Sequence, residues 1–317
     1  MLKEFKIDFI GKRKIFYVIS CALILVALLV SVIFGVKMDI NFTGGAMLTY
    51  SYSGDVDADS VVGLVEDTIG QEAEIRLSSD IASGQESMVI SLSGTDGLTV
   101  EQEQQVTAAL QEAYPDNGIE SVEISNVNAI MGREFFAKCL VAVGFSAVLM
   151  IIYIAIRFKR ISGWSAGVTA VIALLHDVAM VYATFVIFRM PLDDNFIAVA
   201  LTILGYSIND TIVVYDRVRE NKRIYGKSLN TAELMNKSLN QSLSRSIHTS
   251  VTTIMAMTIV LIISIIFGIE SIFTFAFPMI IGMISGVYST LCISSSLWVD
   301  WQNHKEKRTG HKKAVTA

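Results

Sequence analysis

The chain has 317 residues, 52% of them hydrophobic and 17% charged, with a mean hydropathy of +0.54. An ordinary soluble domain carries about 25% charge, so this composition excludes a water-soluble globular protein of the usual kind. The formal net charge of −5 conceals a strong segregation of sign along the chain.

Residues 1–14 carry Lys3, Lys6, Lys12, Arg13 and Lys14 ahead of an apolar block, Ile15–Val36. A bilayer core needs about 20 apolar residues as a helix, and this run is longer than the 7–15 apolar residues of a signal peptide. No small-x-small cleavage site follows it, so it is expected to be retained as an anchor. Next stands Phe42-Thr43-Gly44-Gly45, whose paired glycines permit a tight turn or a close backbone approach.

Segment 37–132 is too long and too patterned for a linker. Met47–Tyr52 alternates as a strand does, and Asp57–Ile69 places Val61, Val62, Leu64, Val65 and Ile69 at helical spacing, with Asp57 or Asp59 to cap it. Glu72–Leu77 and Ser87–Leu92 alternate again, Thr99–Ala113 is amphipathic with Val106, Ala109 and Leu110 inward, and Ile119–Val127 closes as a strand. The order β-α-β-β-α-β predicts a small α+β, ferredoxin-like domain. It holds 17 Asp and Glu against Lys37 and Arg76 alone. Such acidity is a solvated surface and argues against a nucleic-acid partner. With no His and no Cys in it, a binding or lever module is expected there rather than an enzyme.

Five further blocks meet the length of a membrane span: Phe135–Ile156, Trp164–Phe188, Phe196–Tyr215, Ile247–Phe267 and Ile272–Leu297. The last two are joined by little more than residues 268–271, a tight hairpin. Gly163/Gly167 and Gly282/Gly286 have the GxxxG spacing of close helix packing, and Pro278 is expected to kink the last helix. Cys21, Cys139 and Cys292 lie in separate apolar blocks without metal-ligand spacing, so neither a disulfide nor a metal or other cofactor is expected.

Lys and Arg gather on the cytoplasmic side of spanning helices. Five lie in the N-terminal segment, three in 157–163, seven in the 216–246 loop and five in the tail, 20 of the 25 in all. If six helices alternate, these segments share one face. The expected organisation is therefore a cytoplasmic N-terminus (1–14), a first span (15–36), an outside domain (37–132), a five-helix bundle (133–300) containing the cytoplasmic loop 216–246, and a basic cytoplasmic tail (301–317).

Ionisable residues at bilayer depth cost about 2.5 kcal/mol or more and face a bundle interior. The third block has His176-Asp177 near its middle. In the fourth, Asp210 stands one helical turn from Tyr206 and seven residues from Arg217, about 10 Å at 1.5 Å per residue. The fifth opens with Arg245, His248, Thr249 and Thr252 at spacings of three and four, a stripe on one face. Thr252 is expected at the depth of Asp210, so that a carboxylate, hydroxyls, a histidine and an arginine meet in one polar seam. Such a seam suits a proton relay; an interhelical hydrogen-bond clamp is the plainer alternative. Asp216, Arg217, Arg219 and Glu220 sit at the boundary, where anchoring alone also accounts for them.

The run Gly205-Tyr206-Ser207-Ile208-Asn209-Asp210-Thr211, continuing through Asp216-Arg217-Val218-Arg219-Glu220-Asn221, closely resembles the signature of the SecF family of bacterial protein export. So do Phe42-Thr43-Gly44-Gly45 after a single anchor, His176-Asp177, and Ser244-Arg245-Ser246 leading into Thr249-Ser250-Val251-Thr252, where the family commonly has Ser-Arg-Thr. The likeness runs from about residue 10 to 300. It implies a half-bundle of the resistance-nodulation-division superfamily, multi-pass in the bacterial cytoplasmic membrane, paired with SecD on a separate chain. It also implies association with the SecYEG channel and a YidC-type insertase, and use of the proton motive force to help unfolded polypeptide across. Asp210 and Arg245 match the family's proton-path residues, and a sodium-coupled variant exists among its relatives. The alternative from another class is an exporter of small molecules or lipids in the same superfamily.

Overall fold

A computed structural model describes residues 7–79, 86–93, 97–127, 129–226 and 228–315. Helix α1 (Arg13–Phe34) opens on Arg13 and Lys14, is mostly apolar from Ile15 on and stops at Gly35, whose φ is +71°. One helical turn, α2 (Ile40–Thr43), leads into strand β1 (Gly45–Tyr52). Then come α3 (Ala58–Ile69), β2 (Ala73–Ser79), β3 (Glu86–Ser93), α4 (Val100–Ala113) and β4 (Glu120–Val127). Asp57 caps α3 by accepting the Ser60 N–H at 3.1 Å, and Thr99 forms a reciprocal capping box with Gln102 on α4. Each cap contributes about 1 kcal/mol by pairing donors that a helix start leaves open.

The four strands order as β2-β3-β1-β4, every neighbour antiparallel, with Leu48 opposite Ile90 on one side and Ile124 on the other. Alternate residues Leu48, Tyr50, Met88 and Ile90 are buried against Val61 and Val65 of α3 and Val106 and Leu110 of α4. The paired glycines differ in their reasons. Gly44 has φ +84°. Gly45 has φ +142°, and a Cβ there would lie 2.1 Å from the Leu92 carbonyl oxygen. Gly45→Ala is therefore expected to break the β1–β3 pairing at its first residues and cost about 3 kcal/mol or more. Limited proteolysis checks this: the variant's 37–132 segment should be cut under conditions that leave the parent intact.

The second half is helical: α5 (Ala129–Arg157), α6 (Gly163–Ile187), α7 (Asp194–Tyr225), α8 (Thr231–Ile266), α9 (Glu270–Tyr288) and α10 (Ser295–Val315). Among the described residues six helical stretches are long and apolar enough to cross a membrane, the last being α9 running on into α10. Small residues set the packing. A Cβ on Gly163 would meet the Ala155 carbonyl at 2.3 Å, and one on Gly282 would meet Ile203 at 2.7 Å and Val181 at 2.9 Å. Pro278 is buried inside α9, but the departure from α-helical geometry falls further on, in a π-helical turn at Ser289–Ser294.

The expected loop 216–246 is mostly helix. Val214 and Val218 of α7 continue the helical spacing into the core that Leu234, Met235 and Leu239 of α8 complete. An Asn230–Glu233 capping box starts α8, so only 226–230 connects the two. The basic segments do share one end of the bundle. Ile7 exchanges hydrogen bonds with Asn240 at 2.9 and 2.8 Å, Arg13 pairs with Asp300 at 3.0 Å, and Arg157 pairs with Asp216 at 3.2 Å.

At the other end, the segment after α1 is pinned to the α6–α7 connection: Asp39 N–H donates to Leu192 O (3.0 Å) and Leu192 N–H to Lys37 O (2.9 Å). Arg189 caps α1 through Phe34 O at 2.7 Å. Both bases of the sheet segment work at this junction, Lys37 on Glu74 and Arg76 on Glu270 of α9 (3.0 Å). Asp193 caps α7 through the Phe196 N–H at 3.1 Å. Burial pushes its carboxyl up to about 6, with Asp39 adding to the push and the Phe196 N–H opposing it. A carboxyl whose folded pKa lies above its unfolded 3.8 holds more protons when folded, so stability falls as pH rises from about 4 to 6. The full effect is about 3 kcal/mol. Asp193→Asn keeps a good cap, and thermal unfolding should show it flattening that dependence and raising the Tm at pH 7.

Candidate functional site

Helices α7 and α8 run antiparallel and are joined by a ladder of polar pairs. From the sheet-side end inward these are Tyr206 OH to Ser250 Oγ (3.2 Å), then Ser246 Oγ donating to Asp210 Oδ1 (2.5 Å). Beyond them Arg217 Nε donates to Gln241 (2.8 Å), and Asn221 Nδ2 donates to Ser238 and Gln241 at 2.8 Å each. Asp210 Oδ2 is buried and accepts no hydrogen bond among the described residues. An acceptor held in that state inside an apolar bundle is costly, and a proton or a donor from outside the chain is what it lacks.

The spacing predicts Thr252 at the depth of Asp210, and the structure puts Ser246 against Asp210 instead. Thr252 hydroxyl turns back to its own helix, onto His248 O (3.0 Å) and Thr249 O (2.8 Å). The stripe Arg245, His248, Thr249, Thr252 is real, but it points out of the bundle: all four are exposed, while Ser246 and Ser250 are the buried face. Spacing identified a single face correctly and could not say which face met α7. Arg245 has no carboxylate within 4 Å among the described residues. Asp216 pairs with Arg157 and with Arg219 (2.8 Å), and Arg217 with Glu220 (2.5 Å), so these four boundary residues form an ion-pair cluster.

His176 and Asp177 do not join the Asp210 seam. Asp177 is fully buried on α6 and receives three hydroxyls: Ser285 at 2.6 Å on Oδ1, and Ser207 and Ser289 at 2.7 Å each on Oδ2. His176 Nδ1 lies 3.4 Å from Asp177 Oδ1, and its ring sits 5.9 Å from that of Tyr288. Below this centre Thr211 meets Thr290 (2.9 Å), and Tyr215 bridges Thr169 (3.0 Å) and Ser294 (2.9 Å). Sequence reading missed Ser285, Ser289, Thr290 and Ser294. Their signal was hydroxyls recurring every four residues in an apolar block, which the π-helical turn then carries round toward α7. Ser207 and Asp210 sit on adjacent faces of α7, so one helix separates the two acidic centres.

The motif residues divide. Phe42 is buried, its ring 5.2 Å from Phe136 of α5, and Thr43 hydroxyl donates to Asp39 O at 3.1 Å. Gly205 and Asn209 are exposed on α7, and among the described residues no atom outside the local helix backbone and the adjoining residues lies within 4 Å of where a Gly205 Cβ would be.

The profile of the family described as "Protein export membrane protein SecD/SecF, C-terminal" matches residues 105–304. The protein translocase subunit SecF of Petrotoga mobilis is 32% identical over 95% of this chain and 98% of its own. The chain belongs to the SecF family. Protein translocase subunit SecDF of Bacillus subtilis is 29% identical over 96% of this chain, which spans 39% of that protein's length. The crystal structure of SecDF from Thermus thermophilus, described as a translocon-associated membrane protein, superposes with a TM-score of 0.80 at 29% identity, covering 96% of this chain and 40% of that one. Membership in this family makes the chain a membrane protein with an accessory role in Sec translocation.

Proposed function

We propose that this chain is the SecF-type half of a two-part machine that draws on the proton motive force to help unfolded polypeptide through the Sec channel. The observation that carries the reading is the outward polar face of α8 beside the unpaired Asp210 oxygen. Arg245, His248, Thr249 and Thr252 are exposed on a helix whose composition suits a bilayer, and lipid does not solvate such a face. A second helical bundle covering it removes that cost and brings the carboxylate that completes a relay. Gly205 and Asn209, both exposed on α7, fit the same covered surface. The SecDF relatives, more than twice as long as the matched region, support a SecD-type chain as the occupant.

In this reading Asp210 carries the proton, Arg245 returns it to the charged state, and Tyr206 and Thr252 line the path. Asp177 and His176 hold the helices through which protonation is felt. Segment 37–132 is an extracytoplasmic ferredoxin-like domain, supported by its strand order and acidity, and both termini are cytoplasmic. The SecYEG channel and a YidC-type insertase are the further partners.

The test is import of a secretory precursor into inverted membrane vesicles containing this chain and its SecD-type partner. Stimulation should require a proton gradient and vanish with an uncoupler; stimulation indifferent to the gradient overturns the coupling. For orientation, a cytoplasm-dependent reporter fused after Ala317 should be active.

A further inference from the structure

At the basic end of the bundle, the last turn of α5, the Lys159–Ile161 turn, α7 and α8 enclose an open cavity of about 1210 Å³. Eight Lys and Arg side chains line it against two carboxylates. Those carboxylates are already engaged, Asp216 by Arg157 and Arg219, Glu220 by Arg217. Lys159, Arg160, Lys222 and Arg223 have no carboxylate within 4 Å among the described residues. With Arg245, which also lines the cavity, these are five cations without a carboxylate partner among the described residues, and they call for an anion.

The cavity is also amphipathic in one direction. Ile156 and Val213 belong to membrane-crossing helices and line its inner part, while Lys159 and Arg160 follow the end of the α5 span and Lys222 and Arg223 lie in the last turn of α7. Ile156 is 62% exposed, and Ile152 and Leu149 continue the same exposed face of α5 back along the span. An apolar track therefore runs from the lipid-facing side of α5 into the mouth of a basic cavity. A soluble anion has no use for that track, and an acidic peptide has no reason to lie along a membrane span. We infer that this cavity holds the phosphate headgroup of an anionic phospholipid, with an acyl chain laid along Leu149, Ile152 and Ile156. Arg160 and Arg223 supply forked donors suited to phosphate oxygens, and Lys159 and Lys222 add charge at the headgroup level. The cavity shares Arg217, Gln241 and Arg245 with the outer end of the α7–α8 ladder, but Arg160 and Arg223, the donors assigned to the phosphate, take no part in that ladder.

The full-length chain, purified in mild detergent, is incubated with equal amounts of phosphatidylglycerol and phosphatidylcholine, and retained lipid is counted by native mass spectrometry. Phosphatidylglycerol should be retained in preference. The variant Arg160→Gln/Arg223→Gln should weaken that retention about tenfold or more, at about 1 kcal/mol per cation near a membrane surface. Lys237→Gln removes a charge at the same end that does not line the cavity and should leave retention unchanged. An unaltered melting temperature shows that the double variant is folded. Equal retention of both lipids, no effect of the double substitution, or an equal loss with Lys237→Gln overturns the proposal. Displacement of the lipid by millimolar inorganic phosphate identifies the occupant as free phosphate and also overturns it.

Discussion

Asp210→Asn is expected to abolish the contribution to export while leaving the protein folded and at normal abundance. The amide has nearly the shape of the carboxyl, and its oxygen still accepts the Ser246 hydroxyl that now lies 2.5 Å from Oδ1. What it loses is the capacity to take up and release a proton at a position where the second oxygen has no hydrogen-bond partner among the described residues. The structural cost is therefore small, within about 1 kcal/mol, and the functional cost is complete. Pulse-chase maturation of a secreted reporter in cells carrying the variant should match cells that lack the chain altogether. Ser246→Ala keeps the acid and removes its hydrogen bond, so a partial defect is expected. Arg245→Lys keeps the charge and loses the forked geometry, with the same expectation. Wild-type export by Asp210→Asn at normal protein levels would remove the coupling role.

The spans, the sheet elements and the clustering of basic segments at one end were legible because each rests on a periodicity or a count. Val61, Val65, Val106 and Leu110 sit at helical spacing and are buried; the α3 and α4 starts carry their capping residues in sequence. The extension of α7 to Tyr225 and the start of α8 at Thr231 were not, because Arg217, Arg219, Lys222 and Arg223 outweigh Val214 and Val218 in any hydropathy average, and only packing against Leu234 and Leu239 decides the matter. The site was legible in its acids and not in its partners. Asp210 and Asp177 stand out because charge inside an apolar block is rare, and Arg245 because it opens the polar stripe leading into one. Serines do not: Ser246, Ser285 and Ser289 are ordinary in a membrane helix, and their roles depend on rotation about the helix axis. One residue of rotation, about 100°, separates Arg245, which faces out, from Ser246, which meets Asp210. On α7, Ser207 and Asp210 lie about 60° apart round the axis, so one faces Asp177 and the other faces Ser246.

The centre at Asp177 separates the clamp from the relay. Asp177→Leu removes the acceptor of three hydroxyls in a fully buried position. An unpaired buried donor costs about 1–3 kcal/mol, but helical serines have a second option, a bond to a carbonyl one turn back. Ser289 already makes one to Gly286 at 3.2 Å. The expected loss is thus less than three full penalties, about 3 kcal/mol, or a Tm about 5–10 °C lower in detergent. Asp177→Asn offers an oxygen to Ser285 and an amide to Ser207 and Ser289, whose hydroxyls turn to accept, so its Tm should stay close to the parent. If both variants export normally once enough folded protein is supplied, Asp177 is a clamp joining α6, α7 and α9. If Asp177→Asn is stable and inactive, the carboxyl itself takes part in coupling. A Leu variant as stable as the parent would show that the three short hydroxyl contacts hold nothing, and would sink the clamp.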